Sequence, residues 1–345
     1  MKRFFALIPI VALCVLTAAA QSPRRVIIDT DPGIDDAMAI LLALNSPELK
    51  VEALSVAAGN LEAWQTLENA LKLTSLANRC DLPVAAGAQH PLAQKLITAQ
   101  FWHGKNGLAN VELPAPKCKA DPRFGPDLII ELVHKYPHEI TLIPVAPLTN
   151  IALAVSKDPS IVPLVKDIVI MGGSISGGNV NGAAETNIYG DPEAASIVFN
   201  AGWMVTMICS ETGERTFMTR EHLAMLQSSP GKESDLVARL VEFYLSRAES
   251  AGYPGASLYD PVAVGAVIDP TLVTLKDMRV DVETRGEFTR GETVANRMGW
   301  TENIVLHGDH YEVEGVIELK PNARVCLASD ADRFLKLFIS RIKGK

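Results

Sequence analysis

The sequence has 345 residues, of which 48% are hydrophobic and 21% charged, a composition typical of globular proteins. The formal net charge is −8, and no dense block of Lys and Arg occurs along the chain. This balance argues against nucleic acid or an anionic membrane surface as a partner. A single α/β domain can reach this length, so we expect one domain.

The first twenty residues have the pattern of a secretory signal peptide. The chain starts with the basic MKR, residues 4–16 are mostly apolar, and AAA at 18–20 supplies small residues before Gln21. We therefore predict a signal peptide at residues 1–20 and a mature domain at residues 21–345. The protein is expected to be exported, to a periplasm or the medium, with no membrane span after cleavage.

Four cysteines follow the predicted signal peptide, and none of them forms a CxxC motif. A zinc cluster is therefore not expected. An exported protein can form disulfides, and Cys80 with Cys118 is the pair to test. Cys209 ends the apolar run WMVTMIC, which favours a buried thiol.

Apolar runs alternate with amphipathic segments along the chain. Strands are predicted at residues 24–29, 51–59, 139–146, 165–173 and 203–209, and helices at 36–45, 61–78, 127–135, 149–156, 192–201 and 331–342. This alternation predicts an α/β fold with a Rossmann-like, mostly parallel central sheet and helices on both faces. Alternating residues after Leu272, in VTLKDMRVDVE and YEVEGVIEL, predict an antiparallel extension at the edge.

The unusual polar residues follow the predicted strands. An acidic cluster follows the first strand, Gly59 and Asn60 the second, Thr149 the third, and the segment GGSISGGNVNGAAETN the fourth. In parallel sheets, ligands bind outside the carboxyl ends of the strands, so these residues predict a site at that edge. The segment at 89–126, rich in Pro, Lys and Gly, is predicted to be a surface excursion that lines this site.

The acidic cluster is the stretch DTDPGIDD, in which Asp29, Asp31, Asp35 and Asp36 lie within eight residues. Four adjacent carboxylates repel one another, and a bound cation neutralises them more simply than large pKa shifts do. Oxygen ligands with no Cys or His beside them favour Ca²⁺ or Mg²⁺. The alternative is structural, with acids favouring the start of a helix and Asp29 in a turn.

At this point the sequence resembles a known family. The stretch DTDPGIDDA resembles the signature of nucleoside hydrolases of the inosine–uridine preferring type. The resemblance continues in order through AAGN at 57–60, HGKNG at 103–107, PLTNIALA at 147–154, GGN…AETN at 177–187, DPEAA at 191–195 and YDPVAV at 259–264. It implies hydrolysis of the N-glycosidic bond of small-molecule ribonucleosides by a homodimer or homotetramer.

The resemblance also implies roles for individual residues. It implies that a tightly held Ca²⁺ is bound by Asp31, Asp36, the backbone carbonyl of Thr149, and Asp260. Asp31 is then also the general base that activates a calcium-bound water. The residues expected to bind the ribose hydroxyls are Asp35, Asn60, Asn179, Glu185 and Asn187.

The sequence departs from the family at the group that protonates the leaving base. Many members have His where this chain has Tyr259, and a Tyr with the ordinary pKa of about 10 is a poor acid at pH 7. His103 is the other candidate near the base. Phe101, Trp102 and Tyr253 are candidates for aromatic walls of the pocket or for ordinary packing. The preferred base therefore stays open between purine and pyrimidine.

Two other functions compete with this interpretation. A strand ending in DxD also opens the haloacid-dehalogenase-like phosphatases, in which the first Asp attacks phosphate with the assistance of Mg²⁺. Asp29 and Asp31 would supply that motif here. The chain lacks the later Lys and paired-Asp motif of that family. A non-catalytic, calcium-containing nucleoside-binding protein would keep the ribose contacts but would release no ribose from any nucleoside.

Overall fold

A computed structural model describes residues 22–343 of the chain; the predicted signal peptide at 1–20 lies outside these residues. The strands are β1 (Arg24–Thr30), β2 (Leu49–Val56), β3 (Val84–Ala86), β4 (Ile140–Pro144), β5 (Asp167–Met171), β6 (Val205–Ile208), β7 (Phe217–Met218), β8 (Ala256–Ser257), β9 (Val273–Val282), β10 (Thr293–Asn296), β11 (Trp300–His307), β12 (His310–Glu318) and β13 (Ala323–Ser329).

The helices alternate with these strands through most of the chain. They are α1 (Ile34–Leu44), α2 (Ala63–Leu76), α3 (Gln100–His103), α4 (Gly125–Lys135), α5 (Thr149–Lys157), α6 (Thr186–Gly190), α7 (Pro192–Phe199), α8 (Ser210–Glu214), α9 (Arg220–Gln227), α10 (Lys232–Ser250), α11 (Tyr259–Ile268) and α12 (Ala331–Lys343). Among the described residues, none of the helices combines the length and the apolarity that a bilayer crossing requires.

The central sheet has nine strands in the order β10-β9-β13-β6-β5-β4-β1-β2-β3. The pairs from β3 through β6 to β13 are parallel, whereas β9 runs antiparallel to both β13 and β10. The first six strands follow the Rossmann order, so the predicted α/β fold is confirmed. Their order reverses between β1 and β4, and ligands bind at such a reversal, outside the carboxyl ends of the strands.

Strand β1 is an interior strand, between β2 and β4, and both of its faces are apolar. Val26 and Ile28 belong to the core on one face of the sheet, and Ile27 belongs to the core on the other. Helix α1 follows directly and is buried from Ile34 to Ala43, between the sheet and helices that include α10, α11 and α12. Its first turn therefore lies inside the molecule, next to the carboxyl end of β1.

Helices α4, α5 and α7 cover the opposite face of the sheet with a second continuous core. Leu128, Ile151 and Val198 from these three helices are fully or almost fully buried there. The two cores share the same sheet, so the chain forms a single α/β domain, as predicted.

The antiparallel extension differs in one part from the prediction. Strand β9, from VTLKDMRVDVE, joins the central sheet as expected. Strand β12, from YEVEGVIEL, is antiparallel but pairs with β11 in a separate two-stranded sheet. An alternating pattern identifies a strand with two different faces but does not specify which strand it pairs with. Here the partner is the preceding strand, β11, which is joined to β12 by a short turn at Gly308.

A disulfide joins Cys80 to Cys118, as proposed from the sequence. It ties the segment after α2 to the excursion that leads from the site to α4. Close to it, the Ser75 hydroxyl accepts hydrogen bonds from the backbone N–H groups of Lys117 and Cys118 at 2.9 and 3.1 Å. Cys209 is a free, buried thiol, also as predicted.

Loss of this disulfide is expected to destabilise the fold. The two cysteines are 38 residues apart, and closing a loop of that length constrains the unfolded chain by about 4 kcal/mol. A Cys80→Ala/Cys118→Ala variant should therefore unfold at lower urea concentration than the oxidised wild type. The reduced wild type is the control, because its thiols keep the packing volume, and it should show most of the same loss. Equal midpoints for all three forms would contradict the expectation.

Candidate active site

A cleft opens at the carboxyl ends of β1, β4 and β5, over the first turns of α1 and α11. Carboxylate and amide side chains lie along its floor, and aromatic side chains from α3, α10 and α11 form another part of its wall. Its lining residues are Asp35, Asn60, Ala99, Trp102, His103, Val145, Met171, Asn179, Glu185, Thr186, Asn187, Tyr244, Ala248, Tyr253, Ser257, Tyr259 and Asp260.

The cleft brings together most of the site residues predicted from the sequence. Three predicted metal ligands, Asp31, Asp36 and Thr149, are buried and are not part of the lining. The predicted residues that do line it are Asp35, Asn60, His103, Asn179, Glu185, Asn187, Tyr259 and Asp260. Within the described part of the chain, this lining contains no Lys or Arg.

Asp36 organises the turn between β1 and α1. One oxygen, Oδ1, accepts hydrogen bonds from the Thr30 hydroxyl at 2.6 Å and from the Asp31 N–H at 3.1 Å. The other, Oδ2, accepts from the Gly33 N–H at 3.0 Å and from Nδ2 of Asn60 at 2.9 Å. With these four donors, Asp36 has a fixed orientation at the base of the cleft.

Asp31 is held by the loop after β2. Its Oδ2 accepts a hydrogen bond from the Asn60 N–H at 2.5 Å. A Cβ atom on the preceding residue, Gly59, would lie 1.9 Å from that oxygen, so only glycine permits this approach. Oδ1 of Asp31 is buried without a hydrogen-bond partner, and the same holds for Oδ1 of Asp35. Two carboxylate oxygens are thus available to a ligand.

Three buried carboxylates meet where α1 packs against α11. Asp35, Asp36 and Asp260 each offer an oxygen, and these oxygens all lie within 4.8 Å of one another. The set contains Asp35, which the sequence assigned to ribose, beside the predicted ligands Asp36 and Asp260.

Thr149 begins α5, and its hydroxyl donates to Asp191 at 2.7 Å, which leaves the backbone carbonyl as its predicted ligand atom.

Burial and mutual repulsion raise the pKa values of the carboxylates in the acidic cluster. Burial, and then the negative charge of Asp36, raises the pKa of Asp31 well above its ordinary value. The pKa of Asp260 is also raised, first by burial and then by the charge of Asp35. Buried carboxylates with free oxygens and no cationic side chain in the lining fit a hard divalent cation, which accepts oxygen ligands at variable geometry.

Asp29 lies behind this cluster at the end of β1. Its Oδ1 accepts a hydrogen bond from Nδ2 of Asn150 at 2.8 Å, and the same amide group donates to the Ser55 hydroxyl at 3.0 Å. Burial raises the pKa of Asp29 to about 7. Asn150 thereby connects β1, β2 and α5 behind the acidic cluster.

Glu185 and Asn187 are anchored on the strand ends beside the cluster. The Glu185 carboxylate accepts hydrogen bonds from the N–H groups of Gly173, Asn187 and Ile188 at 2.9, 2.8 and 3.1 Å. Burial nevertheless raises the pKa of Glu185 to about 7. Nδ2 of Asn187 donates to the carbonyls of Val145 and Met171, at the ends of β4 and β5.

Asn179 lies on an exposed loop whose base is fixed by Glu211. Oδ1 of Asn179 accepts from the N–H and hydroxyl of Thr186, both at 2.9 Å. Further back, Oε1 of Glu211 accepts from the N–H groups of Ile175 and Ser176, both at 2.8 Å, and from the Ser176 hydroxyl at 2.7 Å. Glu211 is a site-organising residue to which the sequence gave no role.

His103 is bound to the start of α1 in a defined tautomer. Its Nδ1 accepts a hydrogen bond from the Ile34 N–H at 3.0 Å, so the proton of the neutral ring is on Nε2. Burial lowers the pKa of His103 to about 4. At pH 7 it is therefore a neutral hydrogen-bond donor. A Cβ on Gly33 would lie 2.6 Å from Nδ1, so this contact also depends on glycine.

Tyrosines complete the aromatic wall. Burial raises the pKa of Tyr259, whose ring packs on the backbone at Gly213. Tyr244 on α10 lies with its ring centroid 6.5 Å from that of His103. The sequence gave no signal for Tyr244, because it falls at an ordinary buried position of an amphipathic helix. Trp102 and Tyr253 line the cleft as proposed, whereas Phe101 is 65% exposed and lies outside it.

Comparisons with known proteins agree with this geometry. Residues 26–336 match the family described as inosine-uridine preferring nucleoside hydrolase. Uridine nucleosidase 1 of Arabidopsis thaliana is 43% identical over 76% of this chain and 79% of its own length.

Two solved structures share both fold and sequence. A plant nucleoside hydrolase superposes with a TM-score of 0.84 at 37% identity, covering 94% of this chain and all of its own. A purine-preferring ribonucleoside hydrolase from Gardnerella vaginalis gives a TM-score of 0.83 at 33% identity, with 93% and 98% covered. These matches exclude the phosphatase and the non-catalytic alternative. The chain belongs to the inosine–uridine preferring nucleoside hydrolase family and is a nucleoside hydrolase.

Proposed function

We propose that this enzyme is an exported, calcium-dependent hydrolase of purine and pyrimidine ribonucleosides that releases the free base and ribose. One observation supports this most directly: buried carboxylates with unpartnered oxygens lie under a polar and aromatic cleft where the strand order reverses.

The residues proposed to hold Ca²⁺ are Asp31, Asp36, the carbonyl of Thr149, and Asp260. The closeness of Asp35 to Asp36 and Asp260 places its carboxylate next to this set. When bound, the cation supplies positive charge that neutralises the acids, lowers the pKa of water and positions the ribose hydroxyls.

Asp31 acts as the general base in this proposal. It removes a proton from the attacking water, whose oxygen forms a bond to the anomeric carbon of ribose while the bond to the base nitrogen breaks. Positive charge develops on the sugar in this step, and the surrounding carboxylates stabilise it electrostatically. Asp35, Asn60, Asn179, Glu185 and Asn187 are proposed to bind the ribose. Such contacts select against deoxyribose, because buried polar groups would be left unpaired.

The leaving base is proposed to interact with neutral donors. His103 presents a neutral ring, and the raised pKa of Tyr259 keeps its phenol protonated at pH 7. Such groups assist departure by hydrogen bonding to the base rather than as strong acids. One relative is named for uridine and one solved neighbour for purines, which supports the broad substrate range in the proposal.

Export and self-association complete the proposal. The leader at residues 1–20 has the pattern of a signal peptide, and the Cys80–Cys118 disulfide is typical of an oxidising compartment such as a periplasm or the medium. We propose a homodimer or homotetramer as the active form.

The reaction is tested by assaying free ribose after incubation with inosine, adenosine, guanosine, uridine and cytidine. We expect release from both purine and pyrimidine ribonucleosides. Asp31→Asn should reduce turnover by about 10²–10⁴-fold, because the base is lost while the shape is kept. Asp167→Asn, distant from the cleft, should retain activity. Near-normal turnover of Asp31→Asn would refute the general-base role.

Calcium dependence is tested without relying on activity alone. Chelated protein should bind Ca²⁺ in calorimetry, and its melting temperature should rise with added Ca²⁺, because a ligand at about 1,000 times its Kd stabilises the native state by about 4 kcal/mol. Asp36→Asn and Asp260→Asn should lose both effects, whereas the exposed helix-capping variant Asp269→Asn should keep them. Equal stabilisation of all variants would place the cation elsewhere.

Glu211 is expected to control substrate binding through the loop that carries Asn179. Glu211→Ala removes the acceptor for the N–H groups of Ile175 and Ser176, so KM for a ribonucleoside should rise about tenfold, with a smaller change in kcat. Glu211→Gln keeps an oxygen acceptor and should restore most of the affinity. Hydrogen exchange should be faster at residues 175–176 in Glu211→Ala, but not in the surface control Glu221→Ala. Unchanged KM together with unchanged exchange would exclude this role.

A further inference from the structure

The hairpin of β11 and β12 has an unusual place in the fold. It forms a two-stranded sheet of its own, separate from the nine-stranded sheet, and every residue of β12 is exposed. A two-stranded hairpin is at best marginally stable by itself in water. Its stability therefore depends on a surface that covers it.

One face of this hairpin, here called the apolar hairpin face, carries most of its large apolar side chains. The register places Trp300, Glu302, Ile304 and Leu306 on the same face as their cross-strand partners. The exposed apolar residues of this face are Trp300 (39%), Ile304 (57%), Leu306 (56%), Tyr311 (71%), Val313 (52%) and Val316 (65%). The opposite face is mainly polar and includes a hydrogen bond between Nε2 of His307 and the Glu314 carboxylate at 2.8 Å.

The exposed area of the apolar hairpin face is of the order seen in specific protein interfaces. The exposed parts of its six apolar residues amount to several hundred Å², on the order of the largest functional patches of monomers and comparable with the about 800 Å² that each partner of a standard interface buries. Contiguous exposed patches of this size on soluble proteins mark interaction sites. The face is therefore large enough to form most of one side of a stable complex.

The charges on this face are compatible with a second copy packed against it in the antiparallel direction. Its acidic residues are Glu302 and Glu318, both in the half nearest Trp300, whereas the other half ends in Leu306 and Tyr311. A two-fold axis through the middle places the acidic half of one copy over the apolar half of the other. This arrangement separates the carboxylates and buries Ile304 and Val313 close to the axis.

We propose that the apolar hairpin face is a two-fold interface between two copies of this chain, packed face to face and antiparallel. The inference rests on the self-association proposed above and specifies the surface that produces it. It is independent of the catalytic residues, none of which lies on the hairpin.

The test compares the mass of the mature protein in solution with that of a variant, by sedimentation velocity over a range of concentrations. Ile304→Glu/Val313→Glu places four carboxylates near the axis and should reduce the mass of the assembly by at least half. Met225→Glu changes another exposed apolar residue, on α9 and away from the hairpin, and should leave the mass unchanged. Circular dichroism should show that all three proteins are folded.

A second measurement tests whether the two hairpin faces lie against each other. Ile304→Cys should be cross-linked between copies by a short bismaleimide, whereas Met225→Cys should not. A monomeric wild type would overturn both the self-association and this interface. The proposed interface alone would be overturned if the double substitution left the mass of the assembly unchanged. It would also be overturned if Ile304→Cys failed to cross-link in an assembly of wild-type size. Neither result bears on nucleoside hydrolysis.

Discussion

The burial of negative charge at the end of β1 is the constraint on which the site depends. Asp31, Asp35 and Asp36 lie in a turn and the first turn of a buried helix, and Asp260 reaches them from α11. Backbone N–H groups and Asn60 satisfy part of this cluster, but no Lys or Arg enters the cleft among the described residues. The fold thus maintains a buried, negatively charged cluster that could bind a metal cation.

The surroundings of this cluster serve mainly to hold it in place. Helix α1 is central rather than superficial, so its first turn cannot relax towards solvent. Gly33 and Gly59 let His103 and Asp31 approach the backbone closely, and Asn150 joins three elements behind Asp29. A site that is already ordered in this way does not have to rearrange during a reaction. Such preorganisation is the main source of electrostatic catalysis.

Much of the fold and site follows from local sequence patterns. The alternation of apolar strands and amphipathic helices predicted the parallel sheet, and polar residues after strand ends predicted the edge where Asn60, Thr149 and Glu185 are found. Distances between distant segments do not follow from such patterns. The sequence therefore did not show that Asp35 meets Asp260, that Tyr244 enters the cleft, or that Glu211 fixes the Asn179 loop. Each of these contacts is produced by tertiary packing.

The distance along the chain between Asp36 and Asp260 has a consequence for how the protein folds. More than two hundred residues separate these neighbours, and bringing such distant residues together carries an entropic cost of loop closure, which slows folding. The acidic cluster is therefore complete only where α11 packs on α1. A cation that binds only the complete cluster would stabilise the native state relative to the unfolded chain, in which these carboxylates are far apart.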